Sequence, residues 1–141
     1  MKHLILLIIS IILISCSNQN ELIGKWEKIE QNDLKKSQIE IYRLGDFLFG
    51  KRIQLSKINI ESGWTINDIC WKNIQKKENN LYLGTRIAKR IYNGKVETKK
   101  IDIFINIKND SIIAVKTLYT DNNLTDGKKT VLYKKINNFD N

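Results

Sequence analysis

The chain has 141 residues, 42% hydrophobic and 28% charged, and its 24 Lys and Arg against 15 Asp and Glu give a formal net charge of +9. Its only histidine, His3, and one of its two cysteines, Cys16, fall at the N-terminal end. The rest of the chain therefore has neither an imidazole nor a cysteine pair, which excludes Ser-His and Cys-His nucleophiles, histidine-based metal sites and an intrachain disulfide there.

The first element is an apolar run. Lys2 supplies a positive start, Leu4 to Ile14 form a hydrophobic segment broken only by Ser10, and small Ser15 precedes Cys16. This is the layout of a secretory signal. As a helix rising ~1.5 Å per residue, the run would cover only about half of a ~30 Å hydrocarbon core, too little for a transmembrane span. Polar Ser17-Asn18-Gln19-Asn20 does not extend it. The tetrapeptide Leu13-Ile14-Ser15-Cys16 resembles the cleavage and lipidation signal of bacterial lipoproteins, with its leucine, its small residue and the cysteine that takes a diacylglycerol. The resemblance implies that residues 1–15 are a signal peptide and that Cys16 is the lipidated first residue of the mature chain. Residues 16–20 then form a short tether to a membrane of the cell envelope. Each buried CH₂ contributes ~0.8 kcal/mol, so two or three acyl chains on one residue hold permanently. Ser17 stands where Asp would retain such a protein at the inner membrane of enteric bacteria, so the outer membrane is expected, on its periplasmic or surface face.

Cleavage at Cys16 would leave 126 of the 141 residues, enough for one domain with a substantial core. Among charged side chains only Lys2 is lost, leaving 23 basic against 15 acidic, a net of +8. The lysines lie scattered in pairs (Lys35-Lys36, Lys76-Lys77, Lys99-Lys100, Lys128-Lys129, Lys134-Lys135), as solvated turn and strand-edge charges do. An exported protein meets anionic lipid head groups and acidic glycans, so no nucleic-acid partner is expected. Cys70, between Ile69 and Trp71, reads as a small buried hydrophobe.

From Glu21 onward apolar residues recur with period two, the mark of half-buried strands. The clearest case is Ile101-Asp102-Ile103-Phe104-Ile105-Asn106-Ile107, with four isoleucines on one face and Phe104 on the other beside Asp102 and Asn106. Turn residues at Gly45-Asp46, Asn79-Asn80, Asn93-Gly94, Asn109-Asp110 and Asp126-Gly127 divide the chain into strands at 22–30, 38–44, 47–54, 64–72, 80–87, 96–107, 111–119 and 129–136. Residues 55–63 fit no element firmly, and Lys57-Ile58-Asn59-Ile60 could extend a strand. Eight sequential strands, each with one apolar face, need closure to hide their edges. The expected fold is all-β, a single antiparallel up-and-down barrel over residues 21–136, with 137–141 as a C-terminal tail.

Glu21-Leu22-Ile23-Gly24-Lys25-Trp26-Glu27 resembles the opening strand of the lipocalin family and of the short bacterial lipocalin-like domains. The resemblance implies that Trp26 of the Gly24-Lys25-Trp26 motif plugs one end of the barrel and that a basic residue of the last strand packs across it. Lys134 or Lys135 is the candidate, where lipocalins more often carry Arg; such a cation–π contact is worth ~0.5–2 kcal/mol. It further implies an apolar cup open at the end opposite Trp26.

Phe47, Phe49, Trp64, Trp71, Tyr82 and Tyr119 are the large aromatics that could line or cap such a cup. No catalytic arrangement, metal site or cofactor is expected, and the chain does not read as an enzyme. Asp121 to Gly127 is rich in oxygen ligands, but Leu132 stands where a calcium loop needs Glu. Two functions remain: a lipid-anchored module holding a small hydrophobic ligand, by analogy of fold, or an envelope component with a filled barrel that binds a protein or glycan on its outer face.

Overall fold

Period-two alternation becomes a closed sheet. The computed structural model describes residues 21–30, 32–118 and 130–137. Its strands are β1 (Gly24–Lys28), β2 (Gln38–Leu44), β3 (Phe47–Gln54), β4 (Ile69–Glu78), β5 (Leu81–Tyr92), β6 (Lys95–Asn109), β7 (Ile112–Thr117) and β8 (Thr130–Ile136), with one short helix, α1 (Lys57–Glu61), between β3 and β4. Each strand pairs with its neighbours in chain order, and β1 pairs antiparallel with β8 to close an eight-stranded barrel. The signal peptide, Cys16, the tether and Tyr119 all lie outside the described residues.

Inward side chains fill the barrel. In β6, Ile101, Ile103 and Ile105 are buried while Asp102 and Asn106 are exposed, as the alternation requires. Ile103 and Ile105 meet Trp26, Ile39, Ile41, Leu48, Trp71, Ile74, Ile113, Val115, Val131 and Tyr133 in one core. Trp71 meets Tyr133 edge to face at 5.4 Å, a favoured aromatic geometry. Trp71 fits because β3 presents Gly50 beneath it: a Cβ there would lie 3.2 Å from the Trp71 Cβ and 3.1 Å from Ile39 Cγ2.

Several elements differ from the sequence reading. The strand expected at 64–72 begins at Ile69 and runs on to Glu78. Residues 64–68 instead form a turn: Thr65 N–H donates to Asp68 Oδ2 at 2.9 Å, Asn67 N–H donates to Arg52 O at 2.8 Å, and Asn67 has a φ of 68°. Further along, Asn73 (φ 52°) marks a bulge that breaks the alternation of the polar stretch from Lys72 to Glu78, and pairing with β5 holds that stretch in the sheet. Lys57-Ile58-Asn59-Ile60 is helical: Ser56 caps α1, accepting from Asn59 N–H, while Asn59 Oδ1 accepts from Ser56 N–H. That reciprocal cap outweighs the strand-like alternation of the two isoleucines. Finally, β5 runs on from the expected end at 87 to Tyr92, and β6 begins one residue earlier than expected, at Lys95; the two-residue turn between them, Asn93-Gly94, has φ values of 51° and 72°, both positive.

All eight strands lie within residues 24–136, so residues 17–141 contain the whole barrel. Trp26→Ala in that form should lower unfolding free energy by about 3–5 kcal/mol in urea denaturation, as a buried large-to-small change does; an unchanged midpoint would contradict the packing described.

Candidate functional site

The two ends of the barrel are built differently. At one end Trp26 is 1% exposed, and its indole N–H donates to Leu22 O at 2.9 Å. Lys135 is its cross-strand partner in β8, and the ammonium lies 5.4 Å from the ring centroid. Gly24, at φ +139°, gives the lysine stem room: a Cβ there would lie 3.2 Å from Lys135 Cε. The glycine, tryptophan and lysine thus form one stacked unit. Lys134 is not part of it; one residue earlier on the strand, it turns to the other face and pairs with Glu27 at 3.4 Å.

At the same end of the barrel a pocket of about 410 Å³ opens among β2, β3, β4 and β5. Buried Leu48, Ile74 and Tyr82 form its apolar floor, and Arg43, Asp46, Gln75 and Lys76 its polar rim. Burial raises the Tyr82 pKa, aided by the Glu21 carboxylate and opposed by Arg43, so the phenol stays neutral and able to donate. The start of β1 pairs with the end of β2 (Gly24↔Ile41), and Glu21, whose carbonyl accepts from Lys135 Nζ at 3.4 Å, precedes it, so the pocket lies at the Trp26 end.

The opposite end, where the cup was expected to open, is covered among the described residues. Arg52 points inward from β3 in the alternation Leu48, Gly50, Arg52 and is 6% exposed. Its guanidinium stacks 4.6 Å from the Trp64 ring centroid, with the Lys89 ammonium 4.7 Å from the same ring. Arg52 Nη1 donates to Ser37 Oγ and, at 3.3 Å, to Asn59 Oδ1 beside the α1 cap; Nε is buried without a hydrogen-bond partner. Lys89 Nζ donates to Asp68 Oδ2 at 2.6 Å, and this bond holds the Asp68 carboxyl below its ordinary range, with burial opposing and Thr65 assisting. The stack joins β3, the 64–68 turn and β5 across that end.

The five candidate aromatics among the described residues part company. Tyr82 borders the pocket. Trp64 sits in the covering stack, off any strand, and Trp71 is in the central core. Phe47 and Phe49 do not face the interior: they alternate with buried Leu48 and Gly50, and Phe49 packs against Tyr42, with centroids 6.3 Å apart. Arg52, Arg43 and Ile74 escaped the sequence reading. A charged residue at an inward position of β3 was a readable signal for Arg52; the bulge at Asn73 hid Ile74. Cys70 is fully buried, its S–H 3.4 Å from Gly50 O, and burial pushes the thiol up to about 11 against the lowering fields of Arg52 and Arg86. A thiol in that state is inert. Among the described residues no three His, Cys, Asp or Glu side chains come together to hold a metal.

The architecture is that of a lipocalin-like barrel. A solved structure, protein HP1028 from the human pathogen Helicobacter pylori, described as belonging to the lipocalin family, aligns with a TM-score of 0.55 and 14% identity, covering 83% of this chain and 84% of that one. At that identity the similarity is one of fold. No protein-family model matches the sequence, and no curated protein does.

Asp68→Asn tests the covering stack. The Asp68 pKa lies below its unfolded value, so its carboxylate stabilises the fold above that value and stops doing so as pH falls through the folded pKa. The variant should be less stable than the wild type by ~1 kcal/mol or less at neutral pH, and the gap should close as urea denaturation is moved below about pH 3.8.

Proposed function

We propose that the protein is a membrane-anchored envelope lipoprotein whose lipocalin-like barrel binds a small hydrophobic ligand at the Trp26 end. The observation that carries this reading is the pocket of about 410 Å³ floored by Leu48, Ile74 and Tyr82. Ligand sites span ~300–1,000 Å³ and pair an apolar floor with a few polar groups. Arg43 and Lys76 outnumber Asp46 on the rim, which suits an amphipathic molecule with an acidic or polar head. The module binds and does not catalyse.

The lipidation motif at Cys16 supports the anchor, and the start of the barrel supports the geometry. Glu21 lies at the pocket end, five residues after Cys16. A tether of that length reaches at most ~18 Å. A pocket so placed faces the bilayer that would supply an apolar ligand.

Native mass spectrometry of gently purified protein should reveal a co-purifying lipid-sized mass. Gln75→Trp, which fills the mouth from an exposed position, should abolish it. A ligand-free wild type, or a ligand retained by the variant, would sink the reading. Cys16→Ser should stop incorporation of labelled palmitate; continued labelling would remove the anchor.

A second reading has its own observation. The interior is packed by Trp71 and Tyr133, while Phe49 and Tyr42 form an aromatic pair on the outer surface. A filled barrel would then bind an envelope protein or glycan on that face, and a pulldown recovering one stoichiometric partner with no bound ligand would favour it.

A further inference from the structure

Beyond the barrel wall, β5 and β6 continue as a two-stranded arm. Pairing of β4 with β5 reaches Trp71↔Arg86 and that of β6 with β7 reaches Ile103↔Thr117, whereas β5 and β6 pair on to Tyr92↔Lys95. Among the described residues no strand pairs with either edge of this ribbon. Yet Ile91, Tyr92 and Val96 at its tip are 50%, 56% and 52% exposed. Ile91 and Val96 are cross-strand partners on one face, and Tyr92 and Lys95 on the other, so both faces of the tip are part apolar. The Gly63 turn packs against Val96 and Ile91, bringing α1, with Ile58 and Ile60 each 61% exposed, to the same end.

Charge surrounds these apolar groups. Residues 86–100 carry six Lys and Arg and a single acid, Glu97, which Arg90 holds at 2.7 Å. Lys95 and Lys100 have no ion-pair partner among the described residues.

We propose that this end of the barrel docks on an anionic lipid surface, the arm's tip entering the headgroup layer while its lysines stay level with the phosphates. A protein partner would have to enclose a convex, two-sided tip in a groove, but a fluid interface covers it on every side. Tyr92 suits the boundary through its apolar ring and polar hydroxyl, and lysine stems lie along apolar surface while their heads remain wet. The attraction of basic side chains to an anionic leaflet supplies the rest. The arm lies at the barrel end opposite Glu21, so an anchored chain presents it away from its own bilayer, toward a second lipid surface. Docking rests neither on the anchor nor on the ligand reading; its failure would leave both standing.

Residues 17–141 are mixed with vesicles of phosphatidylcholine alone or of phosphatidylcholine and phosphatidylglycerol in equal parts, and sedimented. The protein should pellet with the anionic vesicles only, and added salt should weaken this. The double variants Tyr92→Ser with Val96→Ser and Lys95→Gln with Lys100→Gln should each reduce partitioning by about tenfold, with circular dichroism unchanged. An environment-sensitive fluorophore attached at Lys95→Cys should shift to the blue on anionic vesicles, Cys70 being too buried to take the label. No pelleting with anionic vesicles, equal pelleting of the variants, or a fluorophore that stays in water would each overturn the proposal. So would capture of one acidic protein by the arm without any vesicle binding.

Discussion

Closure of β1 onto β8 is the constraint on which the rest depends. β1 is five residues long, yet it must satisfy the ladder groups of both β2 and β8, with four residue pairs on each side. Without it, the barrel becomes an open sheet with two unsatisfied edges and an exposed isoleucine face. The strand has little length with which to hold this position. Trp26 supplies what the length does not: a fully buried ring, tied by its N–H to Leu22 and covered by Lys135. Gly24 is part of the same arrangement because a side chain there would press on the lysine stem.

With the wall closed, the two ends are free to differ, and local chemistry decides how. Among the described residues one end is covered by charge on aromatic surface. Arg52 stands at an inward position where an apolar residue would be cheaper, with one guanidinium nitrogen unpaired. A buried polar atom left so costs about 1–3 kcal/mol. The Trp64 face and the Ser37 and Asn59 oxygens offset that cost and in return fix the position of the 64–68 turn and α1. At the other end Leu48, Ile74 and Tyr82 lie under a polar rim of Arg43, Asp46, Gln75 and Lys76. Among the described residues the pocket therefore opens at the tryptophan end, whereas the lipocalin resemblance implied a cup at the other.

Much of this wall was legible in the sequence, because period-two burial writes directly into composition. The isoleucines of β6 and the turns at Gly45, Asn80 and Asn93-Gly94 fall where the pattern placed them. The pattern failed where something other than burial set the backbone. Trp64 looked like the head of a strand, but its N–H donates to Asn59 O, and Asn67 and Asp68 take the backbone groups of Arg52 in a turn. The polar stretch after Lys72 looked like loop, but a bulge reset its phase. The pocket was the least legible feature. Its lining comes from four strands whose relative stagger no local pattern encodes, and Phe47 and Phe49, candidates for the lining by size, are turned outward by their parity in β3.

The closing contact also dictates an order of events. Lys135 and Glu21 touch although they are 114 residues apart in sequence, whereas β5 and β6 meet across a two-residue turn. Loop entropy must be overcome before so distant a contact returns anything, so hairpins form early and the β1–β8 seam forms last. Until then the chain is a curved ribbon with both edges open, the state most prone to pair with another copy of itself. The hazard is smallest when the chain is dilute and like-charged. A formal excess of nine positive charges keeps such half-closed copies apart during the interval in which the wall is incomplete.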